Sequence, residues 1–188
     1  MAHDPALDAH EHTEHAEHAA HSHDPFIARV AITVAVLAVL AAGAGSLETV
    51  EEGRALGASS EAVLHQDLAT DAWNEFQADG LKKFMYTVAA DSVPARAQDF
   101  RTAAAKRASK QNQDRRKAVQ DEADRDRLLG ESQRHEERHH WLTGSATLFE
   151  IGIAMSTVAI ITRRSWLWFA ATAFGAGGLA LLATAYTG

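Results

Sequence analysis

The chain has 188 residues, a formal net charge of −7 at neutral pH and no cysteine. The lack of cysteine excludes disulfides, thiol catalysis and zinc–cysteine clusters, and the acidic balance argues against a nucleic-acid partner. Apolar residues at helical spacing, with almost no strand-like alternation, predict an all-α protein.

Residues 1–25 form a leader that is rich in histidine and glutamate and has no lysine or arginine. Because neutral imidazole binds zinc, nickel or copper well, loose metal binding by this leader is one interpretation. A step of three residues falls about 60° short of a helical turn, so a fixed four-coordinate site is not expected. The other interpretation is a solvated, disordered tail, and no further cofactor is expected. The histidines at every third position are His12, His15, His18 and His21.

Three segments are long and apolar enough to cross a bilayer, namely residues 26–47, 141–162 and 166–188. The first has 22 residues, which extend roughly 33 Å as a helix. A signal peptide is the competing interpretation, but the leader before it is acidic and the apolar run is long. Arg163, Arg164 and Ser165 alone separate the other two segments, which predicts a tight transmembrane turn. Trp166 and Trp168 follow this turn as interfacial anchors.

Three crossings place the leader and the Arg163–Arg164 turn on one side of the membrane and residues 48–140 on the other. Paired arginines in a short turn favour the cytoplasmic side, so residues 48–140 are predicted to be periplasmic. The same two arginines are placed to bind anionic lipid, but anchoring of the topology is the preferred interpretation.

Residues 48–140 are predicted to form a long antiparallel, coiled-coil-like helical hairpin that turns near residues 90–94, at Pro94. The large side chains near this turn include Trp73, Phe76 and Phe84, which are predicted to pack against further copies of the chain or another protein. The alternative is that they only close the hairpin on itself. Apolar residues at helical spacing mark one face of the first arm: Leu64, Leu68, Ala72, Phe76, Leu81, Phe84, Met85 and Val88.

Two motifs carry a resemblance to a known family. Residues 71–82, "DAWNEFQADGLK", contain a Trp-x-x-Phe-Gln-Ala-x-x-Leu-Lys pattern, and residues 146–169 read "ATLFEIGIAMSTVAIITRRSWLWF". With the leader and the alanine-rich first span, they resemble the uncharacterised bacterial membrane proteins catalogued as domain of unknown function 4337. The resemblance implies a bacterial inner-membrane protein and supplies no activity. Relatives tend to carry glutamine at the position of Glu150 and lysine at that of Asp79.

Glu150 lies nine residues after Trp141, which puts it near the middle of the bilayer. An ionised carboxylate at this depth is costly, so Glu150 is predicted to face protein or water, or to be protonated. One interpretation is a proton- or ion-linked site in an oligomeric pore. The other is a neutral acid that is hydrogen-bonded to Thr33 or Thr172 between helices.

Small residues at a spacing of four predict close helix contacts between copies of the chain. They pair Gly152 with Ser156 and Ala173 with Gly177. Just before the second span, His135 and His139 share a helical face and His140 follows, so a metal pair is one interpretation and interfacial histidines are the other.

No nucleophile with its base and no phosphate-binding loop is recognisable, so the chain is predicted not to be an enzyme. The preferred hypothesis is a homo-oligomeric inner-membrane protein that acts as an assembly module or as an accessory subunit of a larger membrane complex. Its expected partners are further copies, membrane lipids and other membrane proteins. The alternative is an oligomeric ion- or metal-transport component with Glu150 as its intramembrane site and the histidine-rich leader as a sensor.

Overall fold

In a computed structural model, which describes residues 24–187, the chain is helical and no strand occurs among the residues described. Helix α1 spans Pro25–Ser92, a 3-10 turn spans Pro94–Arg96, α2 spans Ala97–Thr162 and α3 spans Ser165–Thr187. The predicted all-α class is confirmed. Each α-helix contains a stretch that is long and apolar enough to cross a membrane, which is compatible with a membrane protein.

Helix α1 begins at a side-chain cap. The backbone N–H of Phe26 donates to Asp24 Oδ1 at 2.9 Å, which satisfies one of the amides that the first turn leaves unpaired. Pro25 stands at the first helical position, where its missing N–H costs nothing. The helix then continues through Gly53, Gly57 and Gly80, because isolated glycines weaken a helix without ending it.

The end of α1 coincides with a proline. Val93 precedes Pro94 and has φ −128° and ψ 82°, since the proline ring disfavours a helical conformation of the residue before it. Its N–H still donates to the Ala89 carbonyl at 3.0 Å. Pro94 opens the 3-10 turn, and α2 follows directly.

Arg163 forms the connection between α2 and α3 in the left-handed backbone region, with φ 54°. This conformation ends a helix by directing the next residues away from its axis, and glycine usually adopts it. Arginine is sterically disfavoured in this conformation, because its Cβ approaches the neighbouring carbonyl. Helix α3 begins two residues later, at Ser165.

The described chain divides into two compact units. The first, here the three-helix unit, contains residues 24–55 and 133–187, and the second, here the two-helix unit, contains residues 56–132. The three-helix unit holds the apolar stretches of all three helices. Its largest fully buried side chain is Phe149, which packs in a cluster with Val34, Leu37 and Ile153.

Glycines allow the helices of the three-helix unit to approach closely. A Cβ on Gly178 would lie 2.7 Å from the Phe149 ring, and one on Gly175 would lie 2.7 Å from the end of Leu37. Ser145 Oγ donates to the Gly178 carbonyl at 2.8 Å. Such contacts matter because helix association in lipid depends on van der Waals packing and interhelical hydrogen bonds.

In the two-helix unit, α1 and α2 face each other through small and polar side chains. Ala62, Ala69 and Ala72 are buried on α1, and Ala118 and Leu128 are buried on α2. The face that contacts α2 is therefore an alanine face, and the apolar stripe read from the sequence lies largely outside it. Five of the larger residues of that stripe are exposed: Leu64, Leu81, Phe84, Met85 and Val88.

Candidate functional site

Glu150 is exposed on α2, at the middle of the helix's apolar stretch. Among residues 24–187 its carboxylate has no hydrogen bond or ion pair. The bonds to Thr33 and Thr172 that one interpretation predicted are not formed, and both hydroxyls contact other groups. Thr33 Oγ1 accepts from Trp168 Nε1 at 3.0 Å, and Thr172 Oγ1 donates to the Phe169 carbonyl at 2.8 Å.

The side of α2 that carries Glu150 combines threonine and alanine with branched aliphatic residues. Six of its exposed positions follow one another at alternating spacings of four and three, and the exposed Ile151 and Val158 lie beside them. Thr147 Oγ1 donates within the helix to the Thr143 carbonyl at 2.8 Å and keeps its lone pairs available as acceptors. Thr143 Oγ1, by contrast, donates to Glu48 Oε1 of α1 at 2.6 Å, so this end of the surface contacts the chain's own first helix. This surface, here the Glu150 face, consists of Thr143, Thr147, Glu150, Ala154, Thr157 and Ile161.

The small residues predicted to bring copies together divide into two groups. Gly152 and Ser156 are buried within the three-helix unit, and a Cβ on Gly152 would lie 3.0 Å from Leu37 and 3.1 Å from the Ala171 carbonyl. Their packing here is therefore within one chain. Ala173 is exposed and Gly177 is half-buried, so these two remain open to a neighbour.

Two histidines of α2 pair with glutamates of α1 in the three-helix unit. His135 Nδ1 lies 2.5 Å from Glu51 Oε2, and His139 Nδ1 lies 4.0 Å from Glu48 Oε1. His140 is exposed. Among the described residues no group of three or more potential ligands is arranged to hold a metal ion.

Glu51 is 3% exposed and accepts from both His135 and Arg54. Burial alone raises the pKa of its carboxyl, but the hydrogen bond and charge of His135, with the nearby charges of Arg54 and Arg138, outweigh burial and leave the pKa below its ordinary value of 4.5. Glu51 is thus held as a charged anchor between the two helices.

Asp79 is the buried charge of the two-helix unit, and its side chain is 1% exposed. Oδ1 accepts from Arg107 Nη1 at 3.1 Å, and Oδ2 lies 3.3 Å from Lys110 Nζ. Burial raises the pKa of Asp79, yet the hydrogen bonds and charges of Lys110 and Arg107 lower it below 3.8. Hydrogen bonds from Glu75 and Asp79 in turn raise the pKa of Lys110 above 10.5.

Further polar contacts join the helices of this unit. His65 Nδ1 lies 3.0 Å from Asp121 Oδ1, and Trp73 Nε1 donates to Glu122 Oε1 at 2.8 Å. Asp114 is also buried. These buried polar residues were missed by sequence reasoning, which searched for apolar periodicity. The signal that could have found them is the alternating three-and-four spacing of Ala62, His65, Ala69, Ala72, Phe76 and Asp79.

Of the aromatic residues predicted to reach a partner, only Phe84 is largely free, with 65% of its surface exposed. Trp73 and Phe76 are half-buried and pack edge to face with ring centroids 5.4 Å apart. Phe84 lies on one exposed side of α1 with three other apolar residues. This surface, here the Phe84 stripe, consists of Leu81, Phe84, Met85 and Val88.

The predicted anchors cluster at one end of the three-helix unit. Arg163 Nη1 lies 3.8 Å from Asp24 Oδ2, and the guanidinium of Arg29 lies 6.0 Å from the centre of the Trp168 ring. Arg164 and Trp166 are exposed. The start of α1 and the α2–α3 turn are therefore neighbours within this unit. The metal-binding prediction for His12, His15, His18 and His21 lies outside the described residues.

One comparison with known proteins is informative. The family model described as Domain of unknown function (DUF4337) matches residues 26–188, nearly the whole chain. No curated protein and no solved structure matches. The resemblance drawn from the two sequence motifs is confirmed, and the chain belongs to the DUF4337 family.

Proposed function

We propose that this chain is a non-enzymatic, homo-oligomeric protein of the bacterial inner membrane. Its residues 48–140 act as an assembly module, through which copies of the chain associate or join a larger membrane complex. The three apolar helices support the membrane location. The charged side chains of the two-helix unit support a structural role, because they pair with one another and hold two helices together.

The module is an antiparallel helical hairpin in this proposal. Contacts in the two-helix unit support it, since residues late in α1 meet residues early in α2. Glu75 pairs with Lys110 and Asp79 with Arg107, whereas the earlier His65 pairs with the later Asp121. Such contacts are expected when two helices run in opposite directions.

The Phe84 stripe is the observation that carries the assembly role. The seam with α2 uses Asp79, Lys83 and Tyr86 on another side of the helix, so intrachain packing leaves this stripe uncovered. Four adjacent apolar side chains outside the membrane-crossing stretches favour contact with another protein surface.

Topology in this proposal places the amino-terminal leader and the Arg163–Arg164 turn in the cytoplasm and residues 48–140 in the periplasm. The contact between Asp24 and Arg163 supports one shared side for the first two. The short arginine turn supports the cytoplasmic assignment.

The experiment compares two variants of the full chain in lipid nanodiscs. Phe84→Ser with Met85→Ser is expected to lower the assembled mass by at least one subunit or to weaken assembly at low protein concentration. Leu64→Ser is the matched control, because Leu64 is also exposed on α1 but lies outside the stripe. Unchanged assembly in the double variant would refute a role of the stripe.

A transport component is the second candidate, and the unpartnered carboxylate of Glu150 favours it. A proton or cation pathway formed by several copies would use such a group. Its test is flux of protons or divalent metal ions into liposomes that contain the chain. Flux that Glu150→Gln abolishes would support transport, and a chain lacking residues 1–23 tests the leader as a metal sensor.

A further inference from the structure

The exposed sides of α1 and α2 in the three-helix unit differ in chemistry. On α1, the exposed residues Ile32, Val36 and Val39 form a branched aliphatic surface. Such a surface can contact the hydrocarbon chains of lipid without an energetic penalty. On α2, by contrast, Glu150 is exposed together with Thr147, Ala154 and Thr157, although the exposed Ile151 and Val158 lie beside them. Small and hydroxyl-bearing residues are enriched where membrane helices touch other helices.

The Glu150 face is distinct from the side of α2 that packs within the chain. Its members follow the alternating four-and-three pattern from Thr143 to Ile161. The neighbouring side of the same helix carries Leu142, Phe149, Ile153 and Ser156, which are buried against the chain's own helices. Helix α2 therefore has one side that packs within the chain and another, from Thr147 to Ile161, that is exposed.

Exposure of the Glu150 face to lipid is energetically costly because of Glu150 itself. A charged side chain at the bilayer centre costs at least about 2.5–3.5 kcal/mol, and such residues almost always face protein or water. No basic residue occurs in the apolar stretches of α2 and α3 to neutralise it. Lipid chains offer no hydrogen bond, and none of residues 24–187 supplies one to Glu150, so a partner on a second molecule would relieve this cost.

We infer that the Glu150 face binds the same face of a second copy of this chain. Glu150 is protonated there and donates its hydroxyl hydrogen to a carboxyl or threonine oxygen of the other copy. A neutral carboxylic acid both donates and accepts, so two identical faces are complementary without any further component. The surrounding threonines and Ala154 are small enough to let the two helices approach.

This inference rests on the proposed self-assembly and places one of the contacts between copies within the membrane. Because the chain has no cysteine, single-cysteine variants give an unambiguous crosslinking test in native membranes. Thr147→Cys and Ala154→Cys are expected to crosslink into dimers with a short thiol-reactive linker. Val36→Cys and Val39→Cys are matched controls, since both residues are exposed at similar depth on the aliphatic side of α1.

The role of Glu150 itself is tested in the Thr147→Cys background. Glu150→Gln keeps a donor and an acceptor and is expected to preserve crosslinking. Glu150→Leu removes both and is expected to reduce dimer formation about threefold to thirtyfold, the range for interhelical hydrogen bonds in membranes. An equal yield in the two variants would overturn the assignment of Glu150.

The other outcomes also decide the question. Crosslinking at Phe84→Cys but not at Thr147→Cys or Ala154→Cys would overturn the inference and leave the proposed assembly function intact. Failure at all three positions would contradict both. Labelling of Thr147→Cys by a thiol reagent that cannot cross membranes would overturn the dry interface and favour a water-filled transport path.

Discussion

At the scale of single residues, the buried carboxylates of Asp79 and Glu51 are each paired with a basic side chain on the facing helix. Asp79 lies between Arg107 and Lys110, and Glu51 lies between His135 and Arg54. A buried carboxylate is tolerated only when such partners offset its loss of hydration. Removal of one member therefore leaves the others uncompensated.

Asp79→Asn is expected to lower the thermal midpoint of the full chain, since Arg107 and Lys110 lose their shared partner. Asp67→Asn, at an exposed position of α1, is the control and is expected to change the midpoint little. Circular dichroism of the chain in nanodiscs measures both. Equal midpoints for the two variants would show that the Asp79 pairs contribute nothing.

Comparison of the wild-type chain with Asp79→Asn also gives a prediction for how stability depends on pH. The pKa of Asp79 is depressed in the folded state, so its stabilisation is present above the ordinary value of 3.8 and is lost as the pH falls through the lower folded pKa. The difference in midpoint between wild type and Asp79→Asn should therefore persist at neutral pH and disappear at strongly acidic pH. A difference that is constant down to that range would contradict the assignment.

Arg163 allows a test of backbone strain. Both Arg163→Gly and Arg163→Val remove the charge, but only glycine adopts the left-handed conformation without steric cost. Valine is expected to lower the free energy of unfolding by about 1–2 kcal/mol relative to glycine. Denaturation in bicelles measures this difference, and equal stabilities would mean that the turn rearranges.

At the scale of helices, glycine determines how closely α2 and α3 approach. Gly178→Ala would bring a methyl group to 2.7 Å from the buried Phe149 ring, and overpacking of this kind costs typically about 1–3 kcal/mol. Gly43→Ala is the control, because nothing lies within 4 Å of its new Cβ. The control is expected to gain about 0.5–1 kcal/mol from helix propensity. Similar stabilities of the two variants would rule out close packing at Gly178.

Helix boundaries could be predicted from the sequence, whereas helix faces could not. Asp24, Pro25 and Pro94 act through local backbone chemistry, which residue identity determines directly. The seam of the two-helix unit consists of alanine, aspartate and histidine, which give no apolar periodicity. The sequence pattern therefore marked the face that carries the larger residues Leu81 and Phe84 and did not reveal the different face that packs on α2.

The candidate site was only partly predictable for a related reason. The depth of Glu150 follows from a residue count, but its direction depends on how α2 is rotated against its neighbours. That rotation is set by close contacts of Gly152 and Gly178 with Leu37 and Phe149. Such contacts join residues that are far apart in sequence, so the sequence of a single membrane span does not predict them.

At the scale of the whole molecule, both proposed contacts between copies require the chain to cross the membrane three times. Only an odd number of crossings places residues 48–140 and the carboxyl end on one side and the amino end on the other. The Glu150 face is then at mid-membrane depth, and the Phe84 stripe is in water. Both proposed contacts between copies depend on this arrangement.

Reporters fused to each end of the full chain measure the number of crossings most directly, with one reporter active only in the cytoplasm and the other only in the periplasm. The result expected is an amino end in the cytoplasm and a carboxyl end in the periplasm. Both ends in the same compartment would contradict three crossings, and with them the assembly proposal.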